Sequence, residues 1–293
     1  MRKNWIRYII SLFIIGAAGV ILFRSEYFVF QDGLEETEEL ETVVSQIKDT
    51  ESEIENLIFE ETEEPVTEAA AIGQDMQKIL NLSAGDLAAE GMIQTEFLPS
   101  LFASYAIDEK IFERINGKSF TENESIALTE LSYLRMLYYG FDGNTYVGEM
   151  IVNQKIAEDV LGIFQTLYEN QYPIEKMVLI DEYGADDESS MNENNTSAFN
   201  YRMISGSSKL SNHSYGMAID LNPKYNPYVK HASDGSVICQ PESGRAYADR
   251  TKDFSYKIDT NDLAYQLFTQ AGFTWGGNWN SVKDYQHFEK KIN

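Results

Sequence analysis

The chain has 293 residues, 43% of them hydrophobic and 13% aromatic, and a formal net charge of −24 at pH 7. That apolar content can bury a core, which excludes wholesale disorder, and the acidic balance argues against a nucleic-acid binder, which needs a basic face to meet phosphates. A single cysteine, Cys239, excludes an intrachain disulfide framework and a multi-cysteine zinc site, so a histidine-based metal site must draw on His213, His231 and His287.

Charge divides the chain into three regimes. Residues 1–31 carry Arg2, Lys3, Arg7 and Arg24 against Glu26, whereas residues 32–68 carry fifteen acids against Lys48 alone. The uncharged run Tyr8–Phe23 follows a basic N-terminus. As a helix it spans about 24 Å, and adding Trp5, Ile6 and a snorkelling Arg7 approaches a bilayer core of about 30 Å. Positive flanking charge predicts an N-inside anchor over residues 1–31, with everything beyond it outside the cell. Cleavage as a signal peptide near Gly16-Ala17-Ala18-Gly19, releasing a secreted chain, is the alternative, but Val20-Ile21-Leu22-Phe23 prolongs the apolar run past that point. Residues 32–72, rich in Glu and Thr and with Phe59 as their only aromatic, read as a solvated, disordered acidic tether.

Residues 73–293 mix helix and strand signals. Thr121-Glu-Asn-Glu124 reads as a capping box opening a helix through about Tyr139. Thr145–Val152 is β-branched enough for a strand, and Lys155–Glu169 places Ile156, Val160, Phe164, Leu167 and Tyr168 on one helical face. A short strand is expected at Lys176–Ile180, a polar loop at 182–196, and strands at Phe199–Ile204 and Gly216–Leu221. Asn261–Ala271 reads as a helix stopped by Gly272, and a last strand runs through His287–Phe288. Short strands cluster late without strand–helix alternation, which favours an α+β fold over a doubly wound sheet.

The chemistry concentrates in Ser211-Asn-His213-Ser-Tyr-Gly216-Met-Ala218-Ile-Asp220 and in Lys283-Asp284-Tyr-Gln-His287-Phe-Glu289. A catalytic zinc site needs three nitrogen or oxygen ligands, one open position, and a nearby base that is not itself a ligand. His213, Asp220 and His287 have the right atoms, and Asp284 stands three residues before His287. On spacing alone the ordinary alternatives stand: a surface or core histidine, and an aspartate that merely ends a strand.

The pattern SxHxxGxAxD followed by DxxHFE resembles the zinc D-alanyl-D-alanine peptidases of the VanX and VanY type, whose relatives include L-alanyl-D-glutamate endopeptidases. The similarity extends over about residues 105–293, with TSAFNYR before the first motif and WGGNW before the second. The resemblance implies a small antiparallel sheet flanked by helices, of the hedgehog and DD-peptidase type. It implies His213, Asp220 and His287 as zinc ligands, Asp284 as general base and Arg202 as the cation facing the developing oxyanion. It also implies a place of action outside a bacterial membrane, on peptidoglycan stem peptides, by a catalytic domain expected to be monomeric. Carboxypeptidase activity is the first expectation. An L-Ala-D-Glu endopeptidase, or an inactive wall-binding module that keeps the metal, are the alternatives. Trp275 and Trp279 can wall a cleft or fill the core. His231 is expected to be exposed and Cys239 buried.

Overall fold

The computed structural model describes residues 5–16, 19–30, 75–89, 91, 93 and 97–291. The chain divides into two units, Met1–Thr67 and Glu68–Asn293. In the first, β1 (Trp5–Gly16) and β2 (Gly19–Phe30) form an antiparallel hairpin whose register runs from Trp5↔Phe30 to Gly16↔Gly19. The membrane helix expected over this run is therefore not observed, and no helix among the described residues is long and apolar enough to cross a membrane. The local physics favours the hairpin: Ile, Val, Phe and Tyr suit extended backbone, and Gly16 and Gly19 flank the reversal. The acidic tether at 32–72 lies outside the described residues.

The second unit is α+β with small antiparallel sheets. One sheet has the order β3 (Leu87–Ala88), β6 (Thr145–Asn153), β5 (Leu131–Tyr139), β4 (Ala103–Ala106). The others are β10 (Thr274–Trp275)–β12 (His287–Glu289)–β7 (Ala218–Asp220) and β11 (Lys283–Asp284)–β8 (Tyr228–His231)–β9 (Val237–Gln240). Its helices include α1 (Leu98–Leu101), α2 (Glu109–Ile115), α3 (Ala157–Glu169), α4 (Asp187–Asn192) and α5 (Leu263–Gln270).

The strand at 145–152 and the helices at 155–169 and 261–271 stand close to where periodicity placed them. Four expectations need correction. The helix expected from Thr121 to Tyr139 is instead an Asx turn, with Asn123 Oδ1 accepting from the Ser125 and Ile126 amides, followed by β5. Leu134, Met136 and Tyr138 alternate into the main core while Leu131 and Tyr133 join a second apolar cluster, so the run follows the period of a strand. Lys176–Ile180 and Phe199–Ile204 form only isolated bridges, Lys176↔Asn195 and Met203↔Leu210. The expected polar loop at 182–196 contains α4, capped by the Asp186 carboxylate on the Ser189 amide.

The core carries order to the last strand. Helix α3 buries Val160, Phe164 and Leu167 in the cluster that also holds Leu134, Met136, Phe268 and Phe288. Phe164 meets Phe268 edge-on at 6.2 Å, and Phe268 stacks on Phe288 at 4.3 Å. Helix α5 is placed by its Asp262 cap, which accepts from the Ala264 amide at 2.8 Å, and it is followed by Gly272 at φ +86°. Phe288 is thus the core's grip on β12, and neighbouring strand residues face opposite sides. Phe268→Ala should cost about 3–5 kcal/mol in urea unfolding, as for a fully buried aromatic; a cost below about 1 kcal/mol would show that the site strand is held by something else.

Candidate metal centre

The first motif folds through its own small residues. Ser211 Oγ accepts from the His213 amide at 3.3 Å and opens a 3-10 turn, Asn212–Tyr215. Gly216 closes that turn at φ +65°, and a Cβ there would stand 2.5 Å from Asn153 N and 2.9 Å from Val152 C. Backbone conformation and close approach therefore both require glycine. The chain then enters β7, whose last residue, Asp220, lies directly opposite His287 on β12.

His213, Asp220 and His287 converge, with one ligand atom from each within 4.8 Å of the others. Asp220 Oδ1 is 3.0 Å from His287 Nδ1, Asp220 Oδ2 is 3.3 Å from His213 Nε2, and the two ring nitrogens are 3.2 Å apart. All three residues are buried, at 9% exposure or less. The outer partners assign the ring protons. His213 Nδ1 lies 2.5 Å from the Ala198 carbonyl and donates to it, which turns the Nε2 lone pair inward. His287 Nε2 faces Glu289 Oε2 at 3.3 Å, which leaves Nδ1 for the centre. Two lone pairs and a carboxylate then face one another in a buried space, a donor set that repels itself unless positive charge enters. The residues fit a zinc ion, which takes nitrogen and oxygen ligands with one position left open.

The electrostatics carry the same demand. Burial alone would push Asp220 up, but His213 and His287 outweigh it and hold the carboxylate well below its usual range. Burial alone would push His287 down, yet Asp220 and Glu289 raise it to about 10. The carboxylates around these rings stabilise a cation, whether a proton or a metal.

Asp284 sits on β11 opposite Tyr228, and its Oδ1 is sealed from solvent with no hydrogen-bond partner among the described residues. Burial pushes this carboxyl up to about 6 against the pull of His287. Gly276 packs against it: a Cβ at 276 would lie 2.6 Å from the Asp284 carbonyl oxygen and 3.3 Å from His287 Cβ. Trp279 is half-buried with its ring 5.3 Å from the His287 ring. Trp275 belongs to the core, donating from Nε1 to the Tyr285 carbonyl at 2.8 Å.

Arg202 is tied to the first motif through its backbone. The Ser211 amide donates to the Arg202 carbonyl at 3.0 Å, and the Arg202 amide donates to Ser214 Oγ at 2.9 Å. Its guanidinium forms an ion pair with Asp187 of α4, and no hydrogen bond or ion pair among the described residues joins it to the three converging side chains. His231 is exposed on β8 and Cys239 is buried on β9.

Sequence reasoning missed Glu289, Asn212 and Ala198. Glu289 follows His287 by two on a strand, the spacing that puts both on one face, and that signal was available. Asn212 Nδ2 donates to the same Glu289 oxygen that faces His287, and nothing in the sequence announces this. Glu289→Ala should weaken zinc binding about 10–100-fold, the usual effect of removing a partner that orients a ligand. Competition with a chelator of known affinity measures it, and unchanged affinity would mean that the carboxylate does not orient His287.

Residues 205–290 match the family model described as D-alanyl-D-alanine carboxypeptidase. The chain is also 34% identical over 79 residues to the peptidoglycan L-alanyl-D-glutamate endopeptidase CwlK of Bacillus subtilis (strain 168), a match covering 27% of this chain and 38% of that relative. No solved structure matches. The segment 205–290 spans both motifs and is similar to the D-alanyl-D-alanine carboxypeptidase family that those motifs resemble.

Proposed function

We propose that the chain is a membrane-tethered zinc peptidase acting on peptidoglycan stem peptides, in the first place as a D-alanyl-D-alanine carboxypeptidase. The convergence of His213, Asp220 and His287 beside the unpartnered Asp284 Oδ1 carries this reading. Zinc when bound would supply a Lewis acid that makes hydroxide available near neutral pH and polarises the scissile carbonyl. His213 Nε2, His287 Nδ1 and the Asp220 carboxylate would hold it, with Ala198 and Glu289 fixing the two rings. Asp284 accepts the proton of the attacking water on its free oxygen and returns it to the leaving amine. Arg202 meets the negative charge that grows on the carbonyl oxygen. Trp279, against His287, shields one side of the centre from bulk water.

The second reading, an L-alanyl-D-glutamate endopeptidase on the same polymer, is favoured by the likeness to the Bacillus subtilis relative. An inactive wall-binding module is disfavoured by Asp284, since a purely structural metal site has no use for an uncoordinated buried carboxyl. The uncharged run Tyr8–Phe23 behind a basic N-terminus supports a single-pass membrane attachment with residues 32–293 outside.

Digestion of purified peptidoglycan, with the products weighed by mass spectrometry, separates the readings. Loss of one terminal alanine indicates a carboxypeptidase and a freed stem peptide an endopeptidase, while binding without any product rejects the peptidase. Asp284→Ala should keep its zinc and turn over about 10²–10⁴-fold more slowly, the range for a positioned base. His287→Ala should lose zinc and activity together; if Asp284→Ala loses zinc as readily, the aspartate is a ligand.

The pH profile has a definite sign. A base works only when ionised, so activity rises as pH passes its pKa. Burial sets Asp284 at about 6, and a bound cation can only lower it. The acidic limb should fall at or below about 6 and disappear in Asp284→Asn; a limb well above 6 would assign the base elsewhere. Cell fractionation checks the anchor: full-length chain in the membrane fraction is expected, and a soluble mature chain beginning near Val20 would reject it.

A further inference from the structure

We propose that Asp187 is a positioning residue for Arg202, holding one edge of its guanidinium so that the other edge is free to meet charge on the substrate. The inference rests on the peptidase reading above for its kinetic consequence, and on the structure alone for the contact. Asp187 is the first residue of α4, and both of its carboxylate oxygens are used. Oδ2 pairs with Arg202 Nε, and Oδ1 accepts from Asn200 Nδ2 at 3.0 Å. Asn200 is buried at 4% exposure and is itself anchored, donating from Nδ2 to the Ala185 carbonyl at 3.2 Å and from its amide to the His213 carbonyl at 3.3 Å.

The segment 200–202 is thus fixed from two sides. On one side it meets the first motif, where Ser214 Oγ donates to the Arg202 carbonyl at 2.7 Å and accepts from the Arg202 amide. On the other side it meets α4 through Asp187. With backbone and Nε edge both held, the terminal nitrogens remain for a ligand: among the described residues Nη1 has only a long 3.5 Å contact, to the Met203 carbonyl. A half-exposed ion pair of this kind adds little to stability. Its consequence lies in orientation, because an unheld arginine loses rotamer freedom each time it engages a ligand, and a held one has already lost it. Asp187 therefore acts through Arg202 and touches neither substrate nor metal.

A double-mutant cycle on the zinc-loaded, full-length chain tests this. Asp187→Ala should lower kcat about 10-fold with KM and zinc content unchanged, a fraction of the 10²–10³-fold expected for losing an oxyanion donor outright. Added to Arg202→Ala, the same substitution should cost nothing further, because a residue that acts only through another has no effect once that other is gone. Asp187→Glu, which keeps the charge, should recover part of the loss. Equal losses from Asp187→Ala in both backgrounds would show a merely structural role and overturn the proposal, as would full activity of Arg202→Ala. If the wild-type chain cleaves no stem peptide, the peptidase reading fails and a second measurement decides the contact. The Arg202 Nε resonance of ¹⁵N-labelled full-length protein should move in Asp187→Asn, and an unmoved resonance overturns the proposal whatever the activity.

Discussion

The cross-strand pairing of Asp220 with His287 is the constraint on which the rest of the centre depends. It sets an aspartate oxygen 3.0 Å from a ring nitrogen, and the register Ala218↔Glu289, Ile219↔Phe288, Asp220↔His287 secures it. A slip of one residue would exchange Phe288 for His287 on the core face, because side chains alternate along a strand. The core forbids that slip: Ile219 and Phe288 are fully buried, and Phe288 is stacked on Phe268. Hydrophobic packing on one face of two very short strands thus fixes the polar geometry on the other.

Charge then explains why the centre is built in layers. Burying carboxylates and imidazoles together is costly unless each group is paired. Asp220 has both rings, His213 has the Ala198 carbonyl, and His287 has Glu289, which is in turn held by Asn212. Two groups keep unpaired positions among the described residues. Asp284 keeps a free oxygen, and Arg202 keeps the edge of its guanidinium that Asp187 does not hold. Gly276, flush against Asp284 and His287, lets the loop between β10 and β11 come this close.

The sequence was most informative where spacing and chemistry coincide. His213, Asp220 and His287 stand out in two short motifs, and the structure brings them together from residues 67 and 74 positions apart. Long periodic segments such as α3 and α5 were legible for the usual reason, a sustained apolar face. The helix expected up to Tyr139 was not, because Thr121-Glu-Asn-Glu124 imitates a capping box while Asn123 turns the chain and Leu134, Met136 and Tyr138 alternate as a strand. Helix α4 hid in a polar stretch whose apolar content is too small to show a period. The hairpin β8–β9 turns through Asp234-Gly235, a turn dipeptide with Gly235 at φ +85° that is legible in the sequence. Asn212 and Asp187 act through pairings that only the folded chain assembles.

Zinc K-edge absorption on the zinc-loaded protein tests the central claim most directly. Zinc held by His213, Asp220 and His287 will show two imidazole nitrogens at about 2.0–2.1 Å, with the remaining positions oxygen at about 2.0–2.2 Å. A shell of oxygen alone, or one containing a single imidazole, would contradict the assignment.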